Sequence, residues 1–303
     1  MEIFPVMNRL FAPHTAEDPA RTVIFMSGGG SDAEAVLQYL AAGRRAFRAV
    51  ALATDAPLVS RARELGALYQ IPVVELDLRS FYRERGEDSI RLDSPRRCAI
   101  RQEWSDALYS RLAPFSPELG ILAGFIPLTN LTGRFPCLNV HPGDLTLEDD
   151  SGRRLLAGLH ILPVERAILA QHGALRSSVI LAQPYTGDGS REMDTGPVLG
   201  VSEAMPLELE GATPDELAAI RAARIPGRPV NDKLRRLATE NVERLKVAGD
   251  HVVLPRAAED FAAGRFYAEG KTVGFLTDDG EVRRTRTVEY RRDGSKVFLE
   301  KTR

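Results

Sequence analysis

One pattern restricts this chain more than any other. From residue 21, short β-branched and apolar runs are followed again and again by stretches whose apolar positions have helical spacing. TVIFMS is closed by Gly28, Gly29 and Gly30 and followed by AEAVLQYLAAG; AFRAVALATD leads to APLVSRARELGALYQ; IPVVELD is a third strand-like run. Continuous apolar runs of this length read as buried strands. Buried strands joined by helices form a parallel sheet, because a parallel neighbour needs a crossover and a helix is the usual one. The expected fold class is α/β, with a Rossmann-like, mostly parallel sheet and helices on both faces.

The pattern continues with a charged stretch between Leu78 and Arg101, expected as a surface excursion, and a helix over EWSDALYSRLAPF. Strands follow at ELGILAGFI and RFPCLNV, then an irregular polar segment, a helix at LPVERAILAQHG, a strand at SSVILAQPY and a glycine-rich loop, TGDGSREMDTGP. Composition shifts near residue 205. Residues 1–205 are expected to form the main domain, and residues 206–303 a small C-terminal extension, first helical, then antiparallel strands around DDG and RDG turns.

Forty basic and 42 acidic side chains leave a formal charge of −2, without the electrostatic footprint of a nucleic-acid binder. Cys98 and Cys137 are far apart and lack a C-x-x-C context, which argues against a disulfide framework and a structural zinc site and fits a reducing cytoplasm. The amino terminus has no leader pattern, and no apolar stretch is long enough to span a bilayer, so a soluble, cytoplasmic protein is expected.

Asn139-Val140-His141-Pro142 is the element with chemistry in it. Side chains two apart on an extended chain share a face, so Asn139 and His141 project together. Pro142 cannot continue a central strand, which puts the pair at a carboxyl edge, where open α/β sheets bind ligands. Gly28, Gly29 and Gly30 with Ser31 could cradle an anion at a helix start; alternatively Ser31 or Asp32 simply caps that helix. The Walker lysine and the dinucleotide spacing are absent, so ATP and NAD are not supported. His14, His172 and His251 have no motif around them, and Trp104 is expected to pack.

Read together, VIFMSGGGSDAEAVL, ILAGFIPL, LNVHP, GLHILPVERAIL, RSSVILA and EMDTGPVL resemble the folate-dependent formyltransferases. The likeness is closest to phosphoribosylglycinamide formyltransferase and more distant to methionyl-tRNA formyltransferase. The pieces occur in the family's order over residues 22–201, with a fainter match at HVVLPRAAEDFAAGRF. The resemblance implies transfer of a formyl group from 10-formyltetrahydrofolate to an amine of a small-molecule acceptor, without a metal. Asn139 and His141 would stabilise the tetrahedral intermediate, with Asp194 folding back onto the histidine, ordering a water and raising the imidazole's pKa. Leu122, Ala123, Gly124, Ile126 and Leu128, with Gly196 and Pro197, would line the pterin site. Gly28, Gly29, Gly30, Ser31, Asp32 and His160 would face the acceptor.

The purine-biosynthetic branch carries asparagine at the position of Asp32 and a basic residue at that of Pro127, and its link after the histidine is shorter than Gly143 to Arg154 here. A carboxylate at Asp32 would repel a phosphate, which counts against glycinamide ribonucleotide as acceptor. Asp144, Glu148, Asp149 and Asp150 make the long link acidic, either as a solvated loop or to recognise a cationic acceptor. Two other functions fit the same residues: a hydrolase releasing formate from the folate, and a folate-binding protein without turnover. The basic tail is expected as a solvated edge hairpin rather than a tRNA-binding module. A homo-oligomer is left open.

Overall fold

The structure is a computed structural model and describes residues 7–159, 161–184, 194–270 and 272–300. The chain begins with β1 (Asn8–Arg9), β2 (Ala20–Phe25), α1 (Ser31–Ala41), β3 (Phe47–Thr54), α2 (Ala62–Tyr69) and β4 (Val73–Glu75). After them come α3 (Leu78–Arg83), α4 (Pro95–Leu112), β5 (Leu119–Leu122), β6 (Cys137–His141) and α5 (Leu162–Leu169). Next are β7 (Ala174–Leu175), β8 (Ser178–Leu181), β9 (Val198–Ser202) and β10 (Met205–Pro206), then α6 (Pro214–Ala222) and α7 (Lys233–Leu245). A π-helical turn, Lys246–Asp250, joins α7 to α8 (His251–Ala262). The chain ends in β11 (Phe266–Glu269), β12 (Thr272–Leu276), β13 (Val282–Thr285), β14 (Thr287–Tyr290) and β15 (Lys296–Leu299).

The main sheet runs β15-β14-β9-β8-β6-β5-β2-β3-β4. Strands β4, β3, β2, β5 and β6 are mutually parallel, as the alternation of runs and helices requires. β8 is antiparallel to both β6 and β9, whereas β14 is parallel to β9. β2 shows why both faces must be covered. Ala20 and Ile24 pack with residues of α1, α2 and α8, while Val23 and Phe25 pack with α3 and α4 on the other side. Each fully buried Val, Ile or Phe side chain contributes about 2 kcal/mol by leaving water. A third core joins α5, α6 and α7 to Leu156, Leu175 and Met205.

Two sequence expectations change. The charged stretch after Leu78 is not simply an excursion: it holds α3 and the first turn of α4, with Leu78, Phe81 and Tyr82 buried. Asp77 and Ser94 cap these helices, and the charges pair among themselves, as in Arg97 with Glu87 and Asp93. Arg101, buried beneath, donates to the carbonyls of Ile90 and Leu128. The tail forms the two expected hairpins, β12 with β13 and β14 with β15, but the second is built into the main sheet through β14. Tyr290 of β14 is fully buried, and its hydroxyl donates to Asp260 on α8 at 2.7 Å. Among the described residues, no helix is long and apolar enough to cross a membrane.

This topology sets the ends of β2, β5 and β6 side by side, with Phe25 opposite Leu122 and Leu122 opposite Asn139. All three chains leave the sheet at the same edge.

Candidate active site

A cavity of about 590 Å³ opens at that edge. Along one side the chain from Leu122 to Leu128 forms a wall. Gly124 turns it with φ of 71°, a value that favours glycine. The wall is fixed largely through its backbone: Ala123 N–H donates to Phe25 O at 2.9 Å, and Ile126 N–H donates to Ser27 Oγ at 3.0 Å. Ser27 in turn donates to the buried Asp55 at 2.5 Å. Ile126 is 48% exposed, so the wall offers an apolar side chain to whatever enters. Leu122, Ala123, Gly124, Ile126 and Leu128 all line the cavity, as does Pro127.

Asn139 and His141 enter from the end of β6, and Asp194 comes to them across the chain. His141 Nδ1 is 3.5 Å from Asp194 Oδ2, and both side chains are almost fully buried. The other ring nitrogen, Nε2, is 2.7 Å from Leu156 O. A carbonyl only accepts, so Nε2 carries a proton and donates it to Leu156, leaving Nδ1 as the nitrogen that faces the carboxylate. Against expectation, the imidazole lies below its ordinary pKa. Burial pushes it down, outweighing the opposing pull of Asp194 and the Leu156 carbonyl.

Asp194 has a left-handed backbone, φ 59°, and its Oδ2 accepts from Gly158 N–H at 3.0 Å. Arg154 holds that backbone by donating to the carbonyls of both Asp194 and Gly196. Gly196 admits no side chain, because a Cβ there would lie 1.7 Å from Leu181 O. The carbonyl of Pro197 accepts from Leu181 N–H at 3.1 Å. Gly196 and Pro197 therefore brace the end of β8 and are not among the residues lining the cavity, where Asp194 and Thr195 are.

Sequence reasoning did not single out Arg154. It lies in the long link after Pro142, whose acidic residues stood out instead. Two of those carboxylates bond within the link: Asp144 accepts from Thr146, and Asp149 from Ser151 and Arg153, which holds Asp149 down at about 2.

Its end by the glycine turn, which abuts the wall where Gly124 lies beside Asp32, is lined by Gly28, Gly29, Gly30, Ser31 and Asp32, all expected there. Neither Ser31 nor Asp32 caps α1: Gly30 occupies the cap position, and no side chain bonds the first turn. Arg235, Thr239, Glu243 and Lys246, together with Asp250 of the π-helical turn, complete this end; sequence reasoning missed all five. They fall in a stretch that reads only as a charged helix, just before the faint family match that starts at His251. His251, taken as incidental, stands with Nε2 3.5 Å from Asp32 Oδ1. His160 lies outside the described residues. Among those described, no cluster of three or more His, Cys, Asp or Glu is gathered as a metal site.

The sequence matches no protein-family model and no curated protein. Solved structures do match. Glycinamide ribonucleotide transformylase 1 from Symbiobacterium toebii aligns over 86% of this chain and 95% of its own, with TM-score 0.55 and 22% identity. The chain has the fold of the folate-dependent formyltransferases. Phosphoribosylglycinamide formyltransferase from Coxiella burnetii matches over 88% of this chain and 96% of its own, with TM-score 0.53 and 20% identity. A formyltetrahydrofolate deformylase from Pseudomonas syringae matches over 85% and 66%, with TM-score 0.54 and 10% identity. The formyltransferase fold thus accounts for most of the chain, including part of the segment after residue 205.

Proposed function

We propose that this protein transfers the formyl group of 10-formyltetrahydrofolate to an amine of a small-molecule acceptor. The observation that carries the reading is the convergence of Asn139, His141 and Asp194 in a cavity with a backbone-rich wall on one side and a polar end on the other. The wall from Leu122 to Leu128 supports the reading because its apolar side chains and constrained backbone suit a flat, hydrogen-bonding ring such as a pterin.

As the acceptor nitrogen bonds to the formyl carbon, the carbonyl electrons move onto oxygen. The Asn139 amide donates a hydrogen bond to that oxyanion. His141 and Asp194 act on the proton. With Nε2 donating to Leu156, the neutral imidazole leaves Nδ1 without a proton, and that nitrogen receives the proton the attacking amine sheds, the Asp194 carboxylate beside it favouring the imidazolium that forms. The bond to the folate nitrogen then breaks, and that nitrogen takes a proton as it leaves. Arg154 contributes by fixing the Asp194 backbone, which makes it a positioning residue.

Discharge of 10-formyltetrahydrofolate, followed spectroscopically with a panel of amines, tests the reading; acceptor-dependent turnover that vanishes in His141→Ala is the expected result. Hydrolysis is the second reading, favoured by the fold match to a deformylase. The same imidazole could deprotonate water when no amine is present. Formate release at the full rate without any amine would establish it in place of transfer.

A further inference from the structure

We infer that the acceptor carries a second, cationic group besides the amine that is formylated, and that Asp32 and Asp250 receive it. This inference names the acceptor class for the formyl-transfer reading above and rests on it.

The two carboxylates belong to different elements, α1 and the π-helical turn, and both line the acceptor end of the cavity. Asp32 is 8% exposed and Asp250 3%. Each has one oxygen, Oδ1, that is buried and makes no hydrogen bond. Buried carboxylate oxygens are ordinarily paired, and two without a hydrogen bond beside a cavity call for a donor.

The protein's own cations at this end are already engaged. Lys246 Nζ donates to Glu243 at 2.6 Å, and Arg235 stands 3.9 Å from Glu165. Arg61, beside the glycine turn, donates to Gly29 O and pairs with Glu34 and Glu64. His251 Nε2 approaches Asp32 Oδ1 to 3.5 Å, but neither atom makes a hydrogen bond.

A phosphate is the competing occupant, because the uncapped start of α1 offers N–H groups and the positive end of a helix dipole. That dipole end is equivalent to roughly half a charge, and Asp32 and Glu34 already sit in its first turn. A phosphate placed there would meet Asp32 directly and Asp250 behind it. An ammonium or guanidinium would meet two carboxylates whose internal neighbours are His251 beside Asp32 and Ser177 and Lys246 beside Asp250. Burial, together with the charge of Asp32, holds the Asp250 carboxyl well above its ordinary range, and a cation bound beside it would oppose that shift and favour release of a proton.

Calorimetry on the full chain separates the two occupants with simple probes. 1,4-Diaminobutane carries two ammonium groups; O-phosphoethanolamine carries an amine and a phosphate. The diamine is expected to bind at least ten-fold more tightly and to release a proton on binding, and Asp32→Asn and Asp250→Asn each to weaken it at least ten-fold. Equal or tighter binding of O-phosphoethanolamine, no binding of the diamine, or diamine affinity unchanged in both variants would overturn the inference. The wild-type preference decides the matter even if a variant folds poorly. Discharge of 10-formyltetrahydrofolate is scored separately. Diamine binding with no amine-dependent discharge would leave the cation site standing and sink the transfer reading, whereas discharge with a preference for the phosphorylated amine would do the reverse.

Discussion

The two ends of the cavity are built by different means. At the wall end, the ends of β5 and β6 fix Leu122 to Leu128, Asn139 and His141 through main-chain hydrogen bonds and close approaches, and few side chains there carry charge. At the end by the glycine turn, α1, α7 and the π-helical turn supply Asp32, Glu243, Lys246 and Asp250, and charge dominates. Backbone geometry changes little with single substitutions, so the wall suits a ligand shared across a family. Helix-borne side chains can be exchanged without moving the sheet, and they can redirect the same chemistry to another acceptor.

The comparison is broken most directly at the catalytic edge. His141→Ala should lower kcat about 10²- to 10³-fold in the 10-formyltetrahydrofolate discharge assay, and unchanged turnover would move the chemistry away from β6. Gly196→Ala comes next. Its new Cβ has only 1.7 Å to Leu181 O, so the backbone must shift. A loss of about 3 kcal/mol, at the upper end of overpacking costs, is expected in urea unfolding; a loss below about 0.5 kcal/mol would show that this region yields easily.

Arg154→Ala tests whether positioning at the wall end can be separated from recognition at the other. It should lower kcat about 10-fold, a loss of about 1.4 kcal/mol, and shift the pH profile of kcat while leaving the acceptor KM in place; a change confined to KM would contradict its role. The smallest effect concerns pH. Because the Asp250 carboxyl is held above its ordinary 3.8, the stability it contributes is complete below that value and is lost as pH rises through the raised one. Asp250→Asn should remove that decline from a series of thermal melts, and an unchanged decline would assign it to other groups.

The legible parts of the sequence were those where one local rule has one outcome. The glycine turn after β2, the parallel order of β2 to β6 and the shared face of Asn139 and His141 all follow from periodicity and from a proline that ends a strand. Burial, more than the nearby Arg154 and Arg166, reversed the expected direction of the His141 pKa, and local sequence does not reveal it. Arg154 was hidden because its partners are main-chain carbonyls 40 and 42 residues away. Asp250 was hidden because a π-helical turn within a long helix redirects side chains without any glycine or proline signal strong enough to mark it. β14 alternates like any edge strand, and its parallel partner β9 lies on the far side of three helices.

That last pairing bears on the order in which the fold closes. β14 lies far beyond β9 in sequence, yet Tyr290 fills the space that Gly200 leaves open on β9 and anchors α8 through Asp260. The π-helical turn with Asp250 runs straight into α8, so its placement waits on a contact between distant segments, which is entropically costly to close. The parallel strands β2 to β6 need no such distant partner and can assemble before it.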